Sequence, residues 1–129
     1  MNREIITPST VHKPTTVYSH ALRVGDMVYL AGQAPHHFSG EVVPPSDPEG
    51  QVRRAFENMR AVLEASRVAF KDIVRLTVLA RSADMFPVFW KVAGEYLGDN
   101  QPAVTMVVVK GLAGREYLLE FDSIAAIPG

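Results

Sequence analysis

The chain has 129 residues, a net charge of −1 with histidine neutral, and no cysteine. That is the length of one ordinary domain, expected over residues 1–129, and it can bury a core without a disulfide or metal staple. The absence of cysteine excludes a disulfide framework, a thiolate nucleophile and a Cys-ligated zinc. Arg53, Arg54, Arg60 and Arg67 are interleaved with Glu57 and Glu64, which reads as a solvated helix face. A phosphate-binding surface needs a basic patch instead, so nucleic acid is not the expected partner. The opening segment lacks the apolar run of a signal peptide, and nothing approaches the roughly 20 apolar residues of a membrane span. A cytoplasmic protein with no membrane partner is expected.

In chain order, about the first 12 residues read as a loose arm. Val17–Val24 and Met27–Ala31 read as a hairpin turned by Gly25-Asp26, and Gly32-Gln33-Ala34-Pro35 ends it. Residues 36–48, with Gly40 and three prolines, read as an irregular loop. Asp47-Pro48-Glu49 starts a helix, with Asp as cap, Pro in the first position and an acid in the first turn. Val52, Phe56, Met59, Val62 and Leu63 give it an apolar stripe through about Ser66. Ile73–Ala80 is a branched strand, and Ser82 caps a second helix over 83–97 that Gly98 ends. Ala103–Val109 and Tyr117–Ala126 are the last strands.

The order ββαβαββ predicts an α/β (α+β) mixed sheet with both helices on one face. The strand Ala103–Val109 is apolar on both of its faces. One face packs on the helices and the other has no partner within the chain. Association of copies, sheet face to sheet face, is the expected solution.

Four segments carry a family resemblance. They are Tyr18-Ser19-His20-Ala21 with Val24-Gly25-Asp26; Val28 to Pro35; Gln51 to Ala65; and Pro102-Ala103 with Leu119 to Ala126. Together they resemble the RidA/YjgF family of reactive-intermediate deaminases and cover nearly the whole chain. The resemblance implies a chorismate-mutase-like fold and a homotrimer built around a sheet barrel, with clefts between subunits. It further implies cofactor-independent hydrolysis of enamines and imines.

Glu120 is the leading catalytic candidate. Strand alternation puts Leu118, Glu120, Asp122 and Ile124 on one face and Tyr117, Leu119, Phe121 and Ser123 on the other. A carboxylate between apolar neighbours is poorly solvated, which raises its pKa toward the range useful for proton transfer. Asp122 is a second acid on that face. The resemblance gives Glu120 a water-positioning role, Tyr18 a place lining the cleft, and Gly32 a close backbone approach to the ligand. The backbone at Ala103 and Thr105 can hydrogen-bond a ligand. Val104 stands where deaminating members carry a carboxylate-binding arginine, and valine cannot form that bidentate fork. Met106 replaces a small or thiol residue, and Trp90 an asparagine. Together they predict a less polar pocket and a substrate other than an ordinary 2-imino acid. Arg115 is the candidate replacement cation. The four histidines form no ligand set, so no metal is expected, and no organic cofactor. Two other readings are a non-catalytic trimer that binds small molecules or protein, and an RNA-cleaving or translation-inhibiting protein. The charge balance speaks against the RNA reading.

Overall fold

The computed structural model describes residues 2–11, 13, 14 and 17–129. Its elements are β1 (Arg3–Ile6), β2 (Ala21–Val24), β3 (Met27–Gln33), α1 (Pro48–Ala65), β4 (Ile73–Ala80), α2 (Met85–Leu97), β5 (Ala103–Val108) and β6 (Leu119–Ala126). They form a six-stranded sheet in the order β1-β2-β3-β6-β4-β5. All neighbouring strands are antiparallel except β4 and β5. Strands β3 and β4 both run opposite to β6, which lies between them. The two helices are therefore crossovers between parallel strands, and right-handed crossovers bring both to one face. Phe121 of β6 records this, with its ring 4.5 Å from Phe56 of α1 and 5.4 Å from Phe89 of α2.

The mixed sheet with two helices is as expected, but the arm is not loose throughout. Arg3–Ile6 pairs with β2 in register Ile5↔Leu22, which adds an N-terminal strand to the expected order. His12, within the expected arm, lies outside the described residues. Strand β2 starts only at Ala21. Helix α2 starts at Met85, with Asp84 as its cap residue, and Ser82 instead organises the preceding turn by accepting from Asp84 N at 3.1 Å. The expected α1 start holds: Asp47 accepts from Gly50 N at 2.9 Å ahead of Pro48. Gly25 takes φ = 60°, a value that a two-residue hairpin readily asks of glycine.

The core lies between sheet and helices. Phe56 stacks on Tyr96 at 4.6 Å and on Phe89 at 5.6 Å, so one aromatic ring joins α1, α2 and β6. Among the described residues no helix is long and apolar enough to cross a membrane. Among the described residues nothing covers the opposite face of the sheet. Ile5, Tyr29 and Val107 are exposed there.

Two buried amides of α1 tie the loops to this frame. Gln51, fully buried, donates to the carbonyls of Val43 (2.8 Å) and Glu116 (2.7 Å) and accepts from Leu118 N (2.8 Å). Asn58, two turns later, donates to the carbonyls of Ala34 and His36 at 2.9 and 2.7 Å. Gln51→Leu leaves three backbone groups without their partner. A loss of about 3 kcal/mol or more is expected, at about 1–3 kcal/mol for each group left buried and unpaired, as measured by urea unfolding.

Candidate active site

Strand β6 alternates strictly. Leu119, Phe121, Ser123 and Ala125 are buried against the helices, while Glu120, Asp122, Ile124 and Ala126 face the uncovered side. Glu120 is partly buried there, and its neighbour is glycine. A methyl group on Gly32 would stand 3.3 Å from Cδ and Oε1 of Glu120 and 3.6 Å from Oε2. The β3–β6 register shifts between Leu30 and Gln33, and such an irregularity re-aims side chains. Gly32 lies within it, so the carboxyl rests on bare backbone.

The charge balance at Glu120 is one-sided. Burial pushes its pKa up, and the negative charge of Asp122 pushes it further in the same direction. No cation among the described residues offsets them. Asp122 differs. Burial raises its pKa as well, and the Thr77 hydroxyl and the Arg75 guanidinium offset only part of that rise. Thr77 lies opposite Asp122 on one side and Thr105 on the other. Arg75 donates to Thr105 Oγ1 at 2.6 Å. The uncovered face thus holds a polar cluster of Arg75, Thr77, Thr105 and Asp122 beside a less solvated Glu120. Glu120 pairs with Leu79, four residues from Arg75, which at roughly 3.3 Å per residue sets them about 13 Å apart along the sheet. Arg75 belongs to the Asp122 cluster.

Tyr18 is exposed, with its ring edge-on to His20 at 6.0 Å. It lines a groove of about 550 Å³ with Ile5, Leu22 and Tyr29 on the uncovered face. Tyr117 was expected in β6 on the face opposite Glu120. The strand starts two residues later, and Tyr117 sits in the preceding loop, where the charges of Glu120 and Tyr18, after burial, raise its pKa. Leu118 was expected beside Glu120 and instead packs against the core. Alternation holds only inside a strand, so it misplaced both residues. The buried polar Gln51 on an otherwise apolar stripe was the sequence signal that this loop is anchored.

The other candidates are not gathered around Glu120 within one chain. Val104 and Met106 pack against the core on the helix side of β5, and Thr105 alone of the three faces the uncovered side. Trp90 is exposed on α2, against Phe89 at 5.3 Å. Arg115 is exposed; its carbonyl accepts from Arg81, and its guanidinium does not lower Glu120. Among the described residues no three His, Asp or Glu side chains are grouped to hold a metal ion.

The profile of the endoribonuclease L-PSP family matches residues 9–127. The chain belongs to this family, which is the RidA/YjgF family. It is 34% identical over 126 residues to a RutC family protein of Pyrococcus abyssi, covering 97% of this chain and 98% of the relative. It is 30% identical over 125 residues to the 2-iminobutanoate/2-iminopropanoate deaminase of Dermatophagoides farinae, covering 97% of each. The crystal structure of RidA from an Antarctic Psychrobacter superposes with a TM-score of 0.89 at 27% identity, covering 96% of this chain and 99% of that one. Family membership supports imine or enamine deamination in general terms.

A raised carboxyl pKa has a consequence for stability. Between the unfolded value of about 4.3 and the raised folded value, the folded chain binds more protons than the unfolded one. Stability therefore falls as pH rises through that window. Glu120→Gln removes this effect. The variant is expected to melt above wild type at pH 7, with the gain vanishing below about pH 4, where both forms of the residue are neutral. Thermal unfolding at the two pH values measures it, and a variant less stable than wild type at pH 7 contradicts the assignment.

Proposed function

We propose that the chain is a cofactor-independent hydrolytic deaminase of an enamine or imine that lacks the usual carboxylate. The observation that carries this is the Glu120 carboxyl, resting on Gly32 with burial and the charge of Asp122 both raising its pKa. An arginine fork would draw a substrate carboxylate to such a place, and valine at position 104 cannot form one.

The chemistry needs one water and one shuttling proton. Glu120, ionised, takes a proton from water as the water oxygen bonds to the iminium carbon. The neutral carboxyl then protonates the carbinolamine nitrogen, and the C–N bond breaks. The hydroxyl proton leaves with ammonia as ammonium while the carbonyl forms. The balance is iminium plus water to ketone plus ammonium, with Glu120 returned ionised. An enamine enters the same path after protonation at its β-carbon. A raised pKa suits both halves of the cycle.

Tyr18 and Gly32 line the substrate site beside Glu120 in this reading. Thr105, Val104, Met106, Trp90 and Arg115 join it only if another copy brings its β5 edge and α2 surface to the uncovered sheet face. A homotrimer with sites between subunits, in the cytoplasm, is the assembly we infer. The exposed apolar side chains Ile5, Tyr29 and Val107 support it.

The test is ammonia release from enamines and imines generated in situ, with and without an α-carboxylate. Turnover of a carboxylate-free compound, lost at least about 100-fold in Glu120→Gln as befits a general acid–base residue, is the expected result. No turnover by the folded wild-type assembly would favour the non-catalytic binding reading. Turnover confined to carboxylate-bearing compounds would overturn the substrate assignment.

A further inference from the structure

The Glu120 carboxyl rests on Gly32, and Gly32 itself sits in a break of the β3–β6 ladder. Leu30 pairs with Ser123 and Gln33 with Phe121, so Ala31 and Gly32 together stand opposite the one residue Asp122. A bulge of this kind interrupts the ladder, and its backbone needs other partners to hold it. His20, the residue before β2, supplies them. Its carbonyl accepts from Ala31 N at 2.8 Å. Its ring Nδ1 stands 3.5 Å from Nε2 of Gln33. The same Nε2 donates to the Ala31 carbonyl at 3.1 Å. The second hydrogen of that amide therefore faces the imidazole, and Nδ1 is the acceptor. His20 thus reaches the residue on each side of Gly32. Its ring also meets the Tyr18 ring edge-on at 6.0 Å. Both members of the pair are buried, with His20 5% and Gln33 3% exposed. A position that only fills the core is served as well by an apolar pair of the same shape.

We propose that His20 is a positioning residue: it grips the Gly32 bulge through Ala31 and Gln33, and so fixes the backbone on which the Glu120 carboxyl rests. A carboxyl that works as both acid and base has to meet its water and its nitrogen at hydrogen-bond range. A displacement of about 1 Å costs on the order of 100-fold in rate. The catalytic consequence rests on the deaminase reading; the placement of the carboxyl does not.

Two variants separate shape from bonding. His20→Phe keeps a flat ring and removes the acceptor. His20→Asn restores an acceptor oxygen close to the Nδ1 position. The Gly32 amide and the Glu120 carboxyl carbon are followed by NMR in the full chain through a pH titration. In His20→Phe both signals are expected to move, and the Glu120 midpoint to fall from its wild-type position as the loosened bulge admits water. In His20→Asn both are expected near wild type. Ammonia release is measured in parallel on imines formed in situ, from benzylamine by an amine oxidase and from alanine by an amino-acid oxidase. On whichever of these the wild type turns over, His20→Phe is expected to lose about tenfold to 100-fold in kcat, with KM changed less than about threefold. His20→Asn is expected to recover most of that loss. Wild-type Gly32 and Glu120 signals in folded His20→Phe, a loss confined to KM, or a His20→Asn no closer to wild type than His20→Phe would each overturn the proposal. If His20→Phe does not fold, Gln33→Met, which removes the donor from the same contact, is read in its place. If the wild type releases ammonia from neither imine, the deaminase reading fails on those substrates and the NMR readings alone decide the role of His20.

Discussion

The burial of Phe121 governs the rest of the molecule. Its ring fills the space between Phe56 and Phe89 and is fully out of water. Because a strand alternates its side chains, placing Phe121 there sends Glu120 and Asp122 to the opposite face. Strand β6 lies inside the sheet, between β3 and β4, so neither acid can reach solvent around an edge. The hydrophobic core thus puts two carboxylates on a half-dry surface. A one-residue slip of register would bury them and expose Phe121.

What separates the two acids is their company. Asp122 has Thr77 opposite and Arg75 within electrostatic reach. Glu120 has Leu79 opposite and Gly32 beneath it. Burial raises both carboxyl pKa values, and only at Asp122 do neighbouring groups offset part of the rise, so unlike surroundings separate two similar acids. The α1 amides extend this order outward. Gln51 and Asn58 fasten the loops on both sides of Glu120 to the helix layer, so the site's walls are set from the other side of the sheet.

Most of the frame was legible in the sequence. The α1 cap, the Gly25 turn, both helices and the central strands follow from local chemistry. Glu120, Asp122 and Gly32 follow from alternation and resemblance. The misses share a cause. Strand β1 is short and exposed at three of its four residues, so it has almost no hydrophobic period to read; pairing with β2 makes it. Tyr117 depends on where β6 begins, and strand ends are set by tertiary hydrogen bonds, here those of Gln51. Val104 and Met106 were read as pocket residues from their place in a motif, while in this chain their side chains join the core.

The most direct test is a carboxyl-carbon NMR titration of Glu120 in the wild-type assembly, with Asp122 as the internal comparison. The account predicts a Glu120 midpoint clearly above the ordinary glutamate value of about 4.3, with a further upward step as Asp122 ionises. A midpoint at or below that value would mean that a cation or solvent reaches the carboxyl, and would contradict both the proton-shuttling role and the assignment of a carboxylate-free substrate.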